Sequence, residues 1–293
     1  MQIDFSLMTY QDMVRAGEAH LREGPHPERA RRDAETLLLH VIRRDRATLI
    51  VSWDKVLDAE DGARFAALVR RRKVGEPIQY ILGETEFYGL PFTVTPDVLI
   101  PRPETEHLVE RVIELAANFP DPRVLDVGTG SGAIAIALAH HLPKAVITVI
   151  DLSAPALAIA RQNALRNDVN TRMRFLHGDL FAPVAGEAFD IVVSNLPYVS
   201  SADRASLSVE VRDYEPALAL FDDPNPGSDG LEIYRRFTPA AFQALTPGGL
   251  LAIEFGYGQA HSVAKLLSSA KFRSIEIFPD LQGIPRVAFA WRP

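Results

Sequence analysis

The sequence predicts an α/β protein: a doubly wound domain of seven strands, preceded by a small helical bundle. Three observations carry this. From Arg123 onward, apolar strand-like runs at 124–127, 145–150, 173–177, 189–194, 249–255, 274–278 and 286–291 alternate with helical stretches, as in a sheet covered by helices on both faces. The first of them opens Arg123–Ala139 (RVLDVGTGSGAIAIALA), where an apolar run meets a small-residue helix through glycines at alternate positions. Residues 1–75 show helix starts and helical spacing instead.

Size and composition agree. The chain has 293 residues, 47% of them hydrophobic, enough for two domains with real cores. It has no cysteine, which excludes disulfides and thiolate metal sites and fits a cytoplasmic location. The eight histidines show no metal-ligand spacing, so no metal is expected. No run reaches a membrane span, and the N-terminus has no basic-then-apolar signal pattern. The net charge of −7 is uneven: residues 1–75 carry 14 basic against 12 acidic side chains, the remainder 17 against 26. A net −9 in that remainder argues against a nucleic-acid partner, whose cleft is usually basic.

The expected boundaries are a helical domain over 1–76, a hairpin linker over 77–98 and the α/β domain over 99–293. In the first, Thr9-x-x-Asp12 and Asp58-x-x-Asp61 read as helix starts. Between them, Ala30, Ala34, Leu37, Leu38 and Val41 fall at helical spacing within Pro27–Arg43. The basic runs at Arg29, Arg31 and Arg32, at Arg43, Arg44 and Arg46, and at Arg70–Lys73 read as solvated helix faces. Their functional alternative is a docking surface for an acidic or nucleic-acid-like partner. Gly75-Glu76-Pro77 ends the bundle. Glu86–Tyr88 and Pro91–Thr95 then suggest a hairpin turning at Gly89-Leu90, followed by Val98–Glu106 and a helix to Phe119. Prolines 101 and 103 fix the backbone around Arg102, which suits either a carboxylate clamp or a surface salt bridge.

Val124–Val127 reads as a buried parallel strand. Gly128, Thr129, Gly130, Ser131 and Gly132 form a loop whose backbone can approach an elongated polar ligand, with unpaired N–H groups at the following helix N-terminus. Read as Gly128, Gly130 and Ala133, the loop also satisfies the dinucleotide fingerprint, so it does not by itself separate a nicotinamide cofactor from S-adenosylmethionine. Asp126, just before the loop, favours a cationic amino-acid tail over a pyrophosphate. Asp151, ending the next run, can accept from ribose hydroxyls in either ligand. In a doubly wound sheet, ligands bind beyond the carboxyl ends of the strands. That places Asp126, Asp151, Asp179 and Asn195 on one rim, with Asp179-Leu180 suited to an adenine.

The fourth run ends in Ser194-Asn195-Leu196-Pro197-Tyr198. A planar amide or amino nitrogen is a poor nucleophile because its lone pair is delocalised. A site that methylates it must accept from its N–H bonds as positive charge develops, the inverse of an oxyanion hole. The Asn195 oxygen and the Leu196 carbonyl can do this, Pro197 stiffens the turn, and Tyr198 offers a flat face for stacking. If the turn contributes only a backbone carbonyl at 196, the side chain there is chemically silent.

Through these residues the chain resembles the protein-(glutamine-N5) methyltransferases of peptide-chain release factors, the HemK/PrmC group. The resemblance runs through Pro77–Leu90, Leu99–Glu106, Asp126–Gly132, Asn195–Tyr198, Val211–Leu218, Asp229–Tyr234, Glu254-Phe255-Gly256, Gly283 and Arg286. It implies a Rossmann-like class I methyltransferase domain, a helical domain gripping the release factor, and the glutamine of a Gly-Gly-Gln tip as substrate. It also implies that Gly128–Gly132, Asp151, Asp179-Leu180 and Asn195 meet S-adenosylmethionine, and that Asn195–Tyr198 receive the glutamine amide. The stretch 199–228, with Pro216, Pro224, Pro226 and Gly227, is long for a compact domain and suits a lid over the substrate. One position departs from the group: leucine stands at 196 where proline is usual. Asn-Leu-Pro-Tyr is similar instead to ribosomal-RNA adenine dimethyltransferases, so an adenine amino-group methyltransferase acting on RNA or DNA is the second reading. A nicotinamide oxidoreductase or a non-catalytic binding module is the third.

Overall fold

The computed structural model describes residues 8–222 and 227–293. They form two compact units, one of residues up to Gly83 together with Ser208–Tyr214, the other of Glu84–Leu207 with Glu215–Pro293.

The first unit is helical: α1 (Tyr10–Leu21), α2 (Ala30–Ile42), α3 (Arg46–Val51), α4 (Ala59–Lys73) and α5 (Ile78–Leu82). Both expected starts are caps. The Thr9 hydroxyl accepts from the Asp12 amide at 3.2 Å, and an Asp58 carboxylate oxygen accepts from the Asp61 amide at 2.8 Å. The stretch predicted as one helix from Pro27 begins instead as a 3-10 turn, Pro27–Arg29, before α2. Met13, Val14, Leu37, Leu38, Phe65 and Val69 fill the core.

The basic runs are not all solvated faces. Arg31 pairs with Glu35 and Arg71 with Glu76 at the surface, as expected, but Arg72 is buried. Its Nε donates to Asp33 at 2.6 Å, and its Nη1 donates to the Glu76 carbonyl at 2.9 Å and to Glu210 on helix Val209–Tyr214. A buried guanidinium needs that many acceptors, because one left unpaired costs several kcal/mol.

The second unit opens with the hairpin β1 (Glu84–Phe87) and β2 (Leu90–Thr93). Its turn is Tyr88-Gly89, one residue earlier than predicted. Both residues have positive φ, 52° and 72°, as the two-residue turn that matches strand twist needs. Next come α6 (Thr105–Leu115), β3 (Arg123–Val127), α7 (Ala133–His141), β4 (Val146–Asp151), α8 (Ala154–Arg166), β5 (Met173–His177) and β6 (Phe189–Ser194). The described part of 199–228 is not a structureless loop: a 3-10 helix spans Ser201–Ser206, α9 (Val209–Tyr214) belongs to the first unit, and α10 (Ala217–Leu220) to the second. Pro224 and Pro226 lie outside the described residues. The chain closes with α11 (Glu232–Ala244), β7 (Leu245–Glu254), α12 (Ala260–Ser269), β8 (Arg273–Pro279) and β9 (Pro285–Trp291).

All seven predicted runs are strands of one sheet, in the order β5-β4-β3-β6-β7-β9-β8. The sheet is mixed, because β9 inserts between β7 and β8 antiparallel to both. Side chains alternate between two cores. Val124, Ile191, Val193, Leu250 and Ala252 face α6 and α7. Leu125, Val127, Val192, Leu251 and Ile253 face α11 and α12. This period of two through strands covered on both faces produces the near-continuous apolar runs of the sequence. The strand order reverses at β3, whose neighbours are β4 and β6. There the helices diverge and a crevice opens beyond the carboxyl ends.

Candidate active site

A cavity of about 480 Å³ occupies that crevice, within the usual range for small-molecule sites. Gly128, Thr129, Gly130 and Ser131 line it from the β3–α7 turn, Asp151 from the end of β4, Gly178, Asp179 and Leu180 from beyond β5, and Asn195, Leu196 and Pro197 from beyond β6. Pro96–Leu99, Arg102 and Thr105 supply another wall, and Pro216, Leu218, Ala219 and Phe221 a further one. Residues 216–222 of the expected lid thus contribute a wall of the cavity.

The loop conformation follows from its glycines. Gly128 has φ 76°, and a Cβ there would stand 2.9 Å from Leu196 Cδ2, so a side chain is excluded twice over. Gly130 has φ 55° with nothing within 4 Å of a Cβ; that open side admits a ligand. Gly132 does not line the cavity. It caps α7 at φ 84° and packs against Ala160 of α8.

The acids have distinct environments. Asp151 Oδ2 accepts from the Gly130 amide and Oδ1 from the Ser153 amide, both at 2.8 Å. A carboxylate has about four acceptor sites, so each oxygen keeps capacity for a ligand hydroxyl. Burial raises its pKa, while those amides pull the other way. Asp126 does not reach the cavity wall. It is fully buried behind the loop, where Oδ2 accepts from the Thr129 hydroxyl at 2.7 Å and Oδ1 has no partner. Burial pushes its pKa up to about 7, the Thr129 bond opposes this, the charge of Asp151 adds to it, and the nearby Ala135 amide opposes it. Asp179 lines the cavity in a half-exposed ion pair with Arg236, and Leu180 packs its side chain on the α11 core.

The Asn195–Tyr198 turn is held from behind. Asn195 Nδ2 donates to Thr105 Oγ1 at 3.3 Å, and that hydroxyl donates to Glu254 Oε2 at 2.6 Å. Leu196 lines the cavity but is buried, and its N–H donates to the Tyr234 hydroxyl at 3.3 Å. Leucine at 196 therefore has a packing role against Gly128, and its backbone amide is engaged. Tyr198 turns inward, with its hydroxyl 3.5 Å from Glu254 Oε1 and its ring edge 2.9 Å from where a Gly256 Cβ would stand. It offers no flat face to the cavity. Gln259 Nε2 donates to the Tyr198 carbonyl at 3.0 Å, fixing the end of the turn. Arg102 does line the cavity and pairs at 2.5 Å with the buried Glu215.

Sequence reasoning missed Thr105, Glu254, Tyr234 and Asn163. Asn163 on α8 is buried, accepts from the Thr93 amide at 2.7 Å, and donates to the Ser131 carbonyl at 2.9 Å. It ties the hairpin to the glycine loop. Thr105, Tyr234 and Glu254 sit inside three of the blocks that carry the resemblance; Asn163 has no such signal. Among the described residues, no cluster of three or more histidines and acids is placed to hold a metal, and no helix is long and apolar enough to cross a membrane.

Residues 12–83 match the family described as the PrmC N-terminal domain, and residues 105–211 the methyltransferase small domain. A release factor glutamine methyltransferase of Geobacter sulfurreducens is 45% identical over 260 residues, 89% of each chain. Another from Koribacter versatilis is 40% identical over 98% of this chain and 99% of its own. Among solved structures, a Thermus thermophilus 16S rRNA N2 G1207 methyltransferase matches with a TM-score of 0.52 at 21% identity, over 72% of this chain and 50% of that one. A methyltransferase from Pyrococcus furiosus matches with a TM-score of 0.51 at 18% identity, over 70% and 90%. At these identities the structures establish the shared fold.

Proposed function

The chain belongs to the release factor glutamine methyltransferase family, and we propose on that premise that it methylates the side-chain amide nitrogen (N5) of the glutamine in the Gly-Gly-Gln motif of peptide-chain release factors. The observation that carries this is the identity to such enzymes over nearly the whole length, helical N-terminal region included. The donor is S-adenosylmethionine. It supplies a methyl group already activated on a sulfonium, so the protein's task is positioning and electrostatics.

The residues present fit that donor. The glycine loop and Asp151 suit an elongated ligand with a diol. Asp179-Leu180 suit its adenine. Asp126, with one oxygen unpartnered, lends negative potential from behind the loop toward a cationic tail without touching it. Beside them, the Asn195 oxygen and the Leu196 carbonyl accept from the two N–H bonds of the substrate amide. They orient it and favour the positive charge that grows on nitrogen, whose surplus proton then passes to solvent water. Pro197 fixes the turn, and Tyr198 buttresses it from inside rather than stacking on the substrate.

The helical N-terminal region is proposed to grip the release factor, and a cytoplasmic location goes with that role in translation termination. The rival reading, adenine methylation in nucleic acid, rests on Leu196 alone and meets the acidic balance of residues 76–293. The test supplies labelled S-adenosylmethionine to the enzyme with a release factor and ribosomal RNA in one tube. Label in the protein fraction supports the proposal, and label confined to RNA refutes it.

A further inference from the structure

We propose that Thr105 and Glu254 are positioning residues, which hold the Asn195 carboxamide with its oxygen toward the cavity. This rests on the glutamine-methylating role given above, in which Asn195 must accept from the substrate.

A carboxamide has two ends of nearly equal size, and only one accepts. Turned the wrong way, Asn195 would present N–H to the N–H of the substrate amide. The choice is made by a hydrogen-bond chain with a direction. Glu254 as a carboxylate only accepts. The Thr105 hydroxyl has one proton, and at 2.6 Å it is spent on Glu254 Oε2. What Thr105 has left are lone pairs, so it accepts from Asn195 Nδ2 at 3.3 Å. The Asn195 oxygen is then the end that faces the cavity, which Asn195 and Thr105 both line. Thr105 and Glu254 are buried, at 4% and 2% exposure, so water does not compete for the bond between them, which fixes the threonine proton.

The direction depends on the charge of Glu254. A protonated Glu254 can donate to Thr105 Oγ1, which frees the threonine proton to donate to the Asn195 oxygen and turns the amide over. Several groups act on Glu254. Thr105 and Glu104 stand at the start of α6, and Arg286 stands on β9. Asn195 and Tyr198 come from the turn after β6, and Tyr234 on α11 donates to the backbone carbonyl of Glu254. Burial raises the carboxyl to about 7; the Thr105 bond, Arg286 and Asn195 oppose the rise and Glu104 adds to it. The acceptor-outward arrangement therefore holds above neutral pH and is lost below it.

The experiment uses the full chain labelled with ¹⁵N at asparagine, titrated from pH 5.5 to 8.5. The Asn195 side-chain resonance is assigned by its disappearance in Asn195→Ala, and glutamine methylation is followed over the same range. In the wild type that resonance should shift with a midpoint near 7, and kcat should rise through the same midpoint. Glu254→Gln, which can both donate and accept, should abolish the shift. It should lower kcat about tenfold, less than loss of Asn195 itself, and flatten the acidic limb while KM for S-adenosylmethionine stays within about twofold. Thr105→Val should behave like Glu254→Gln, and Thr105→Ser, which restores the hydroxyl, like the wild type. An Asn195 resonance indifferent to pH in the wild type, or wild-type kcat and pH profile in Glu254→Gln, overturns the proposal. Absence of any glutamine methylation by the wild type would instead overturn the functional reading, while the resonance still reports the amide's orientation.

Discussion

Asp126→Asn should change how the stability of the α/β unit depends on pH. Asp126 is fully buried with one oxygen unpartnered, and burial raises its pKa from 3.8 to about 7. The unfolded chain releases this proton near pH 4, whereas the folded chain keeps it until about pH 7. Across that window the folded state binds more protons, so raising the pH destabilises it; above pH 7 the penalty is constant. Between pH 5 and pH 8 about two pKa units are traversed, or about 3 kcal/mol. For a unit of about 200 residues that is roughly 6–12 °C in Tm, taken as an upper bound. Asparagine is neutral throughout and can still accept from the Thr129 hydroxyl, which now bonds Oδ2 at 2.7 Å. Its amino group would sit where Oδ1 has no partner, a cost of about 1–3 kcal/mol that does not vary with pH. The informative quantity is therefore the difference in Tm between variant and wild type, compared at pH 5 and pH 8. Titration of Glu254 occurs in both proteins and cancels. The variant should gain on the wild type as pH rises, by several degrees in calorimetry without ligand. Parallel Tm–pH curves for the two proteins would refute the assignment of a raised pKa to Asp126.

Other perturbations separate the roles assigned to the site. Asn195→Ala should lower turnover by about 10²–10³, the loss typical of one preorganised hydrogen-bonding group, with release-factor binding nearly unchanged; near wild-type methylation would remove Asn195 from the mechanism. Asp151→Ala should weaken S-adenosylmethionine binding by about 1.5–3 kcal/mol in calorimetry, since the lost acceptor is charged, and an unchanged Kd would take Asp151 out of the ligand site. Leu196→Pro removes the N–H that donates to Tyr234 and a buried side chain packed on Gly128, so it should lower stability by about 2 kcal/mol or more; equal or higher stability in denaturant melts would restore the view that this side chain is silent. Methylation should survive EDTA, and loss of turnover reversed by a divalent metal would contradict the metal-free reading.

Much of the fold was legible because the sheet is covered on both faces, which turns each strand into an apolar run. The order of strands was not. Nothing local in residues 285–291 says that they insert between β7 and β8, since that pairing is long-range. The hairpin turn slipped by one residue because Tyr88, a poor signal for positive φ, takes a turn position beside Gly89. In the cavity wall, residues whose chemistry is carried by type and spacing were visible: Gly128–Ser131, Asp151, Asp179 and the Asn195 turn, whereas Asp126 and Gly132, read the same way, lie behind it. Those that act from behind were not. Glu254 lies at the end of an apolar strand, and Thr105 at a helix start, where threonine is ordinary. Only the fold brings them to Asn195. Tyr198 was visible but misjudged, because the sequence does not show on which side of a turn an aromatic ring falls. Arg72 was misjudged for a similar reason: its acceptors Asp33 and Glu210 are 39 and 138 residues away.

The most direct measurement is tandem mass spectrometry of a release factor incubated with the enzyme and isotopically labelled S-adenosylmethionine, with the modified residue and atom identified. The expected result is one methyl group on the side-chain nitrogen of the Gly-Gly-Gln glutamine, absent when Asn195→Ala replaces the wild type. An unmodified glutamine, with the label on an adenine amino group of ribosomal RNA supplied in the same reaction, would contradict it.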